Sequence, residues 1–144
     1  MDYKSIYENW LSDKRLNAEG ESELENIKDN EKEIEYRFGA ELEFGTAGMR
    51  GLIGYGTNMM NVYTVKRATQ GLAEFIKGLG PAAMVRGVVI SYDTRRKSRE
   101  FASAAAEVLA ANGIVSYKFD DVHPVPMLSF AVRELKTIAG IMIT

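Results

Sequence analysis

The sequence has no cysteine and a single histidine, His123. The lack of cysteine excludes disulfide bridges, thiolate metal sites and cysteine nucleophiles, so the fold must be held together by its core alone. One histidine is too few for a histidine-rich metal site, and no spacing typical of metal ligands is present. His123 lies in a predicted turn without an evident carboxylate or nucleophile beside it, a setting more typical of a structural or exposed histidine than of a general base.

The sequence also lacks a long hydrophobic run and an excess of basic residues. No segment approaches the roughly 18 apolar residues of a membrane span, and the first residues lead into a charged amphipathic stretch. We therefore expect a cytoplasmic protein without a membrane partner. With 18 basic against 20 acidic side chains, the net charge is -2, which gives no attraction for a nucleic acid. The 144 residues are 46% hydrophobic and 26% charged, an ordinary balance for one globular domain.

Two amphipathic helices are predicted before residue 40. Over residues 3–16, apolar side chains recur at helical spacing, and a second helix is predicted over residues 21–38, with residues 17–20 as the connection. The second helix is rich in glutamate. Its acidic face either attracts a basic partner or is simply a solvated outer surface, which is the commoner case.

From residue 43 onward the pattern changes to that of an α/β domain. Five glycines within twelve residues exclude a helix there: Gly45, Gly48, Gly51, Gly54 and Gly56. A helix is then predicted from Thr64 to the breakers Gly78, Gly80 and Pro81. The rest alternates: a buried strand over 86–93, a helix capped by Ser98 and ending at Asn112, a strand over 114–119, a turn over 123–126, a helix over 127–135 and a buried strand over 137–144.

This alternation predicts an α/β fold with a mainly parallel or mixed sheet between helices, to which the two N-terminal helices are appended. We expect residues 1–40 to form a helical extension and residues 41–144 to form the α/β domain. Ligands of such sheets bind beyond the carboxyl ends of the strands, and the chain stops at a predicted strand end of this kind. This ending predicts a truncated chain or a gene fragment.

Residues 44–51 read FGTAGMRG and form the first candidate site. Glycines allow a close approach of the backbone to a ligand, exposed amides can line an anion site, and the planar guanidinium of Arg50 suits phosphate oxygens. A plain glycine-rich turn is the alternative. The segment has neither the spacing of a P-loop nor the strand and helix of a dinucleotide fingerprint, so nucleotide binding is not predicted.

Residues 91–99 read SYDTRRKSR and form the second candidate site. They follow a predicted buried strand and enter a helix N-terminus, where backbone amides and four cationic side chains favour an anion. The alternative is that Asp93 and Ser98 only shape and cap the turn while the cations are solvated.

At these residues the sequence resembles the phosphoglucomutase/phosphomannomutase family. Residues 44–51 are similar to the family's F-G-T-[AS]-G-[LM]-R-G segment. Residues 92–95 with Ser98, Arg99 and Phe101 look like its strand-to-helix signature, and residues 124–126 with 140–144 look like the approach to its T-A-S-H-N-P loop. The three motifs occur in order over about a hundred residues. The helices before residue 40 resemble those of the bacterial phosphoglucomutase and phosphopentomutase-like branch.

The resemblance implies a mutase that interconverts sugar 1-phosphate and 6-phosphate through a phosphoserine and a sugar bisphosphate intermediate, with magnesium as the cofactor. It implies that Arg50 contacts the phosphate of the substrate, with Thr46 and Gly48 shaping the same wall and Arg95 and Ser98 supporting it. Thr144 corresponds to the first residue of T-A-S-H-N-P. The nucleophilic serine is then expected just after Thr144, and no catalytic or metal-binding residue is expected within the chain.

Three functions remain open at this point. The chain is an enzyme fragment, inactive alone, whose partners are a sugar phosphate and the remaining domains of the same enzyme. Alternatively it is a non-catalytic truncated homologue that acts as a protein-interaction module, or a fold without a function of its own. The choice among glucose, mannose and pentose phosphates is not encoded in these residues.

Overall fold

A computed structural model describes all residues from Met1 to Thr144, and the chain divides into two compact units, Met1–Thr64 and Val65–Thr144. Seven helices and five strands follow one another along the chain: α1 Tyr3–Ser12, α2 Ala18–Asn26, α3 Glu31–Phe38, β1 Phe44–Gly45, β2 Gly48–Met49, α4 Val62–Gly78, α5 Pro81–Arg86, β3 Val88–Tyr92, α6 Ser98–Ala111, β4 Ser116–Lys118, α7 Val125–Glu134 and β5 Ala139–Ile143.

The N-terminal unit begins with three helices where two were predicted. The predicted single helix over residues 21–38 is wrong, because the chain breaks between α2 and α3 and Asn30 caps α3 by accepting a hydrogen bond from the Glu33 amide. Aspartate and asparagine side chains tend to compete for backbone hydrogen bonds and therefore disfavour a helix interior, and Asp29 and Asn30 lie at this break. The predicted connection over 17–20 is also wrong, since Asn17 caps α2 and accepts from the Gly20 amide at 2.8 Å. Helix α1 ends at Ser12, earlier than predicted.

A small aromatic core holds these helices together. It contains the buried side chains of Tyr7, Leu24, Ile34, Phe38 and Tyr55. The rings of Tyr7 and Trp10 meet Phe38 edge-on, with centroids 5.6 and 5.7 Å away. Edge-to-face pairs of this kind each contribute about 0.5–1.5 kcal/mol beyond their burial. The core is therefore built from the apolar stripes that the helical periodicity predicted.

The glycine-rich segment contains no helix, as predicted, and residues 44–49 form a two-stranded hairpin. Strand β1 pairs with β2 in antiparallel register, Phe44 opposite Met49 and Gly45 opposite Gly48. We call residues 44–51 the glycine–arginine hairpin. Gly48 has a φ of +100°, a conformation that residues with a Cβ rarely adopt, so the turn depends on glycine at this position.

The C-terminal unit contains a three-stranded parallel sheet in the order β4, β3, β5. Strand β3 is central, and all five of its residues are buried. The chain crosses the sheet in one direction from β3 through α6 to β4. It then crosses in the opposite direction from β4 through α7 to β5. Because parallel crossovers are right-handed, α6 and α7 cover opposite faces. This is the predicted α/β arrangement, with a parallel sheet between helices.

Several predicted boundaries in this unit need correction. Helix α4 begins two residues before Thr64, and the short helix α5, opened by Pro81 after Gly80, was not predicted. Strand β4 is shorter than residues 114–119, and α7 includes Val125 and Pro126, which were assigned to a turn. The last strand was predicted to be buried, but β5 lies at an edge of the sheet and is only half-buried.

None of the helices is long and apolar enough to span a membrane.

Candidate functional site

The glycine–arginine hairpin is largely exposed to solvent. Phe44 is 74% exposed, and Thr46, Ala47 and Arg50 are exposed as well. Thr46 and Ala47 form the turn, and Arg50 follows β2 directly. No ion pair or side-chain hydrogen bond engages the guanidinium of Arg50, which leaves its five N–H groups available to an anion. Arg50, Thr46 and Gly48, predicted as one wall, do lie on one hairpin.

The two ends of the hairpin are fixed by the residues that follow it. We call residues 52–61 the anchor segment. On one side of the hairpin, the Leu42 amide donates to the Thr57 carbonyl at 2.8 Å, and on the other the Met60 amide donates to the Leu52 carbonyl at 2.8 Å. The hairpin therefore projects from a base that is hydrogen-bonded at both ends.

The side chain of Asn61 forms hydrogen bonds with the backbone of the anchor segment. Its side chain is buried, and its amide nitrogen donates to the carbonyls of Gly54, Gly56 and Met59 at 2.9–3.2 Å. Its carbonyl oxygen accepts from the Tyr63 and Thr64 amides, as a capping residue does at the start of a helix. One side chain thus shapes the anchor segment and begins α4.

Arg37 joins the anchor segment to the N-terminal helices. Its side chain is only 12% exposed and donates to Glu23, to Glu33 at 2.7 Å and to the Tyr55 carbonyl at 3.1 Å. The same Glu23 oxygen accepts from the Tyr55 amide at 3.0 Å. Burial alone would lower the pKa of Arg37, but the hydrogen bonds to Glu23 and Glu33 raise it, so the guanidinium stays charged.

A second group of polar contacts lies at the carboxyl end of β3, in the C-terminal unit. Asp93 accepts hydrogen bonds from the Arg95 amide at 2.9 Å, from the Ser98 hydroxyl at 3.0 Å and from the Thr144 hydroxyl at 2.5 Å. Burial alone would raise the pKa of Asp93, but these hydrogen bonds and the charge of Arg95 outweigh it, and the pKa lies below its ordinary value of 3.8. The carboxylate is therefore ionised at neutral pH.

The structure corrects the predicted role of Ser98. Ser98 is the first residue of α6 and does not cap it; the N-cap is Lys97, whose backbone is left-handed with a φ of 66°. The Ser98 hydroxyl is turned instead toward Asp93. Arg95 is 75% exposed, and its Nε lies 3.8 Å from Asp93. The two candidate supporting residues therefore converge on one carboxylate, which the sequence suggested only as a turn residue.

His123 occupies a structural position. Its ring lies 4.5 Å from that of Phe119, its amide donates to the Tyr92 carbonyl, and its own carbonyl accepts from the Ser91 hydroxyl. These contacts tie the loop before α7 to β3. They agree with a structural role and bring no nucleophile to the imidazole.

No group of three or more histidine, aspartate or glutamate side chains is arranged to hold a metal ion. The carboxylates of Glu23 and Glu33 both form ion pairs with the single guanidinium of Arg37. No step of the chemistry is therefore assigned to a metal held by these residues.

Sequence reasoning found the two loops but missed the residues that hold them. No role was predicted from the sequence for Arg37 or for Asn61. One local signal for Asn61 is present in the sequence. Asn61 lies three residues before Thr64, at the distance of a capping residue from the apolar stripe of α4. The contacts of Arg37 with residues 14 and 18 positions away have no signature in the sequence.

Comparison of the sequence with known proteins relates this chain to phosphosugar mutases. Residues 41–144 match the family model described as phosphoglucomutase/phosphomannomutase, alpha/beta/alpha domain I. The chain is 41% identical over 137 residues to a phosphopentomutase of Pongo abelii, an alignment that covers 91% of the chain and 21% of that protein. That coverage extends into the helices before residue 41.

Two microbial relatives give the same picture. A phosphoglucomutase of Staphylococcus haemolyticus (strain JCSC1435) is 44% identical over 110 residues, covering 76% of the chain and 20% of that protein. A probable phosphoribomutase of Schizosaccharomyces pombe is 46% identical over 101 residues, covering 70% of the chain and 17% of that protein. The chain thus spans about a fifth of the length of the curated relatives it matches. No solved structure matches it significantly.

Proposed function

The chain belongs to the phosphoglucomutase/phosphomannomutase family, and from this premise we propose that it is the first α/β domain of a mutase that moves a phosphoryl group between two positions of a sugar phosphate. The observation that carries the proposal is the match of residues 41–144 to the domain I model, because it includes the glycine–arginine hairpin, the end of β3 and all of β5. Relatives named phosphoglucomutase, phosphopentomutase and phosphoribomutase all catalyse transfers of this kind by name.

In the proposed reaction a phosphoserine gives its phosphoryl group to the free hydroxyl of a sugar monophosphate, and the serine takes back the other phosphoryl group of the resulting bisphosphate. Such transfers depend on positioning and on neutralising the phosphate charge. In this chain the exposed guanidinium of Arg50 is the group best placed to contact a phosphate. Thr46 and Gly48 would shape the same surface through the turn of the hairpin.

Asp93, Ser98 and Arg95 have a supporting role in this proposal. Asp93 holds the end of β5 through Thr144 and the start of α6 through Ser98. Ligands of open α/β sheets bind beyond the carboxyl ends of neighbouring parallel strands, and β3 and β5 are such neighbours. We propose that these contacts shape the edge of the sheet where the phosphoserine loop of the complete mutase begins.

We further propose that these 144 residues do not turn over a sugar phosphate alone. In this proposal they supply phosphate contacts, the phosphoserine belongs to another part of the mutase, and no group of three or more acidic or histidine side chains is arranged to hold a metal ion. The magnesium and the remaining domains would come from other parts of the mutase. A cytoplasmic location is part of the same proposal.

The test is a coupled assay with glucose 1-phosphate and, separately, ribose 1-phosphate. The chain is assayed alone and after addition of the remaining domains of a mutase from the same source. We expect no turnover alone and turnover after the addition. Turnover by the chain alone would contradict its inactivity. No turnover after the addition, together with a stable complex with an unrelated protein, would favour the non-catalytic interaction module.

A further inference from the structure

The glycine–arginine hairpin has little of its own to hold it in place. Its two strands have two residues each, and the side chains of Phe44, Thr46, Ala47 and Arg50 are exposed. A two-stranded hairpin of this size is marginal in water without further packing. The direction in which Arg50 points must therefore be set by the base from which the hairpin projects.

That base is the anchor segment of residues 52–61, and the anchor segment is fastened in turn to the end of α3. The Asn58 amide donates to the Arg37 carbonyl at 2.9 Å, and the Asn58 side chain donates to the Tyr36 carbonyl at 3.0 Å. The Thr57 hydroxyl donates to the Ala40 carbonyl at 2.6 Å. The last turn of α3 and the residues just after it thus hold one side of the anchor segment.

The side chain of Arg37 supplies the other connection. Its guanidinium reaches the Tyr55 carbonyl, and Glu23, on α2, accepts from both Arg37 and the Tyr55 amide. The approach is close: a Cβ at Gly54 would lie 2.9 Å from the Glu23 carboxylate, and a Cβ at Gly56 would lie 2.8 Å from the Arg37 carbonyl. The two glycines allow the anchor segment to reach the ion pair.

We infer that Arg37 is a positioning residue for the glycine–arginine hairpin, and that the three N-terminal helices set the orientation of Arg50 through it. The helices before residue 40 are then a part of the phosphate-binding apparatus, not a separate appendage. The assignment of phosphate binding to Arg50 rests on the proposed function, whereas the mechanical link from Arg37 to the hairpin does not.

The link is tested by limited trypsin digestion of the 144-residue chain under native conditions. Trypsin cuts after Arg50, in the exposed hairpin, and after Arg95, which is exposed in the other unit and serves as an internal reference. For R37M we expect the ratio of cleavage at Arg50 to cleavage at Arg95 to rise about fivefold or more, because local opening exposes the hairpin to the protease. R37K keeps the positive charge but loses the planar guanidinium that donates to several acceptors at once. This variant should give a smaller rise in the cleavage ratio.

Two comparisons make the result decisive. R15M removes an exposed arginine that pairs only with Asp13 and should leave the ratio unchanged. E33Q removes one of the two carboxylates that pair with Arg37 and leaves Arg37 in place. It provides a second test of the link if R37M does not fold. An unchanged ratio in both R37M and E33Q, or an equal rise at Arg50 and Arg95, would overturn the inference.

A second measurement separates this inference from the proposed function. In a mutase that carries these residues, R37K should raise KM for the sugar phosphate by about threefold to tenfold with a smaller change in kcat, because the contact is misplaced and not removed. A raised cleavage ratio without any change in KM or kcat would leave the link intact and count against Arg50 as the phosphate contact. No change in either measurement would refute the link itself.

Discussion

The hydroxyl of Thr144 donates a hydrogen bond to Asp93, over a distance of 2.5 Å, at the carboxyl ends of two neighbouring parallel strands. Because Asp93 also accepts from Ser98 and from the Arg95 amide, one carboxylate connects the end of β3, the end of β5 and the start of α6. The carboxyl ends of these two strands and the start of α6 are therefore held together by a single charge.

Replacing that charge should weaken the C-terminal unit. We expect D93N to lower the free energy of unfolding by about 1–2 kcal/mol, since hydrogen bonds to a charged acceptor are stronger than those to a neutral amide. Urea denaturation followed by circular dichroism measures the change. D121N is the matched control, because Asp121 is 74% exposed and its contact with Arg99 is 3.7 Å long. An equal loss in both variants would argue against the special role of Asp93.

The contribution of Asp93 should depend on pH in one direction. Its pKa is lower in the folded chain than the ordinary value of 3.8, so the folded state favours the ionised form. The stabilisation is then complete above the unfolded pKa and is lost as the pH falls through the folded pKa. The free energy of unfolding is measured for the original chain and for D93N from pH 7 to pH 2.5. The difference between the two free energies should become smaller below about pH 4. A difference that stays constant down to pH 2.5 would refute this assignment.

Gly48 and Gly71 should respond in opposite ways to the same change. A Cβ at either position meets nothing within 4 Å, so only the backbone differs: Gly48 has a φ of +100°, whereas Gly71 lies inside α4. We expect G48A to cost about 1–2 kcal/mol and G71A to stabilise by roughly 0.5–1 kcal/mol. Both are read from urea denaturation. A neutral G48A would mean that the hairpin relaxes without strain.

Gly140 should be intolerant of a side chain for a reason of packing. A Cβ there would lie 2.8 Å from a methyl group of Val132, on α7. We expect G140A to destabilise the chain by about 1–3 kcal/mol, the usual cost of overpacking. In a double-mutant cycle, V132A should recover about 1 kcal/mol of this loss. If the changes in the free energy of unfolding of G140A and V132A were strictly additive, Val132 would not be the source of the clash.

Arg50 should matter for catalysis and not for folding. In a mutase that carries these residues, we expect R50K to lower kcat/KM about tenfold to a hundredfold, because lysine cannot form the two parallel hydrogen bonds of a guanidinium with a phosphate. The free energy of unfolding should change by less than about 0.5 kcal/mol, since the side chain is exposed. R15K is the control for a general effect of arginine replacement. Full activity of R50K would remove Arg50 from the proposed site.

The elements with strong periodicity were predictable, and those set by a single cap were not. The stripes of α1 and α4 and the β-branched run of β3 are local patterns, and the structure confirms them. The break between α2 and α3 is hidden because Ile27 and Ile34 are seven residues apart and continue the helical spacing across it. The signal that reveals it is Asn30 three residues before Glu33, a capping distance.

The candidate site shows the same division between local and distant information. Glycine spacing and clustered cations mark the two loops, since both depend on residue type alone. The partners of Asp93 and Arg37 depend on which strands and helices become neighbours. Thr144 was predicted to end a strand, and no role was predicted for Arg37. Only the folded chain brings each to its partner.

The parallel order β4, β3, β5 also constrains the time course of folding. Strand β3 precedes both of its partners in the sequence, and Asp93 and Thr144 are 51 residues apart. The loop-closure entropy of the intervening chain must be overcome before β3 can pair with either partner, which slows folding relative to a helical bundle of equal length. Of the two pairings of β3, the one with β5 closes the longer stretch of chain and therefore carries the larger loop-closure entropy.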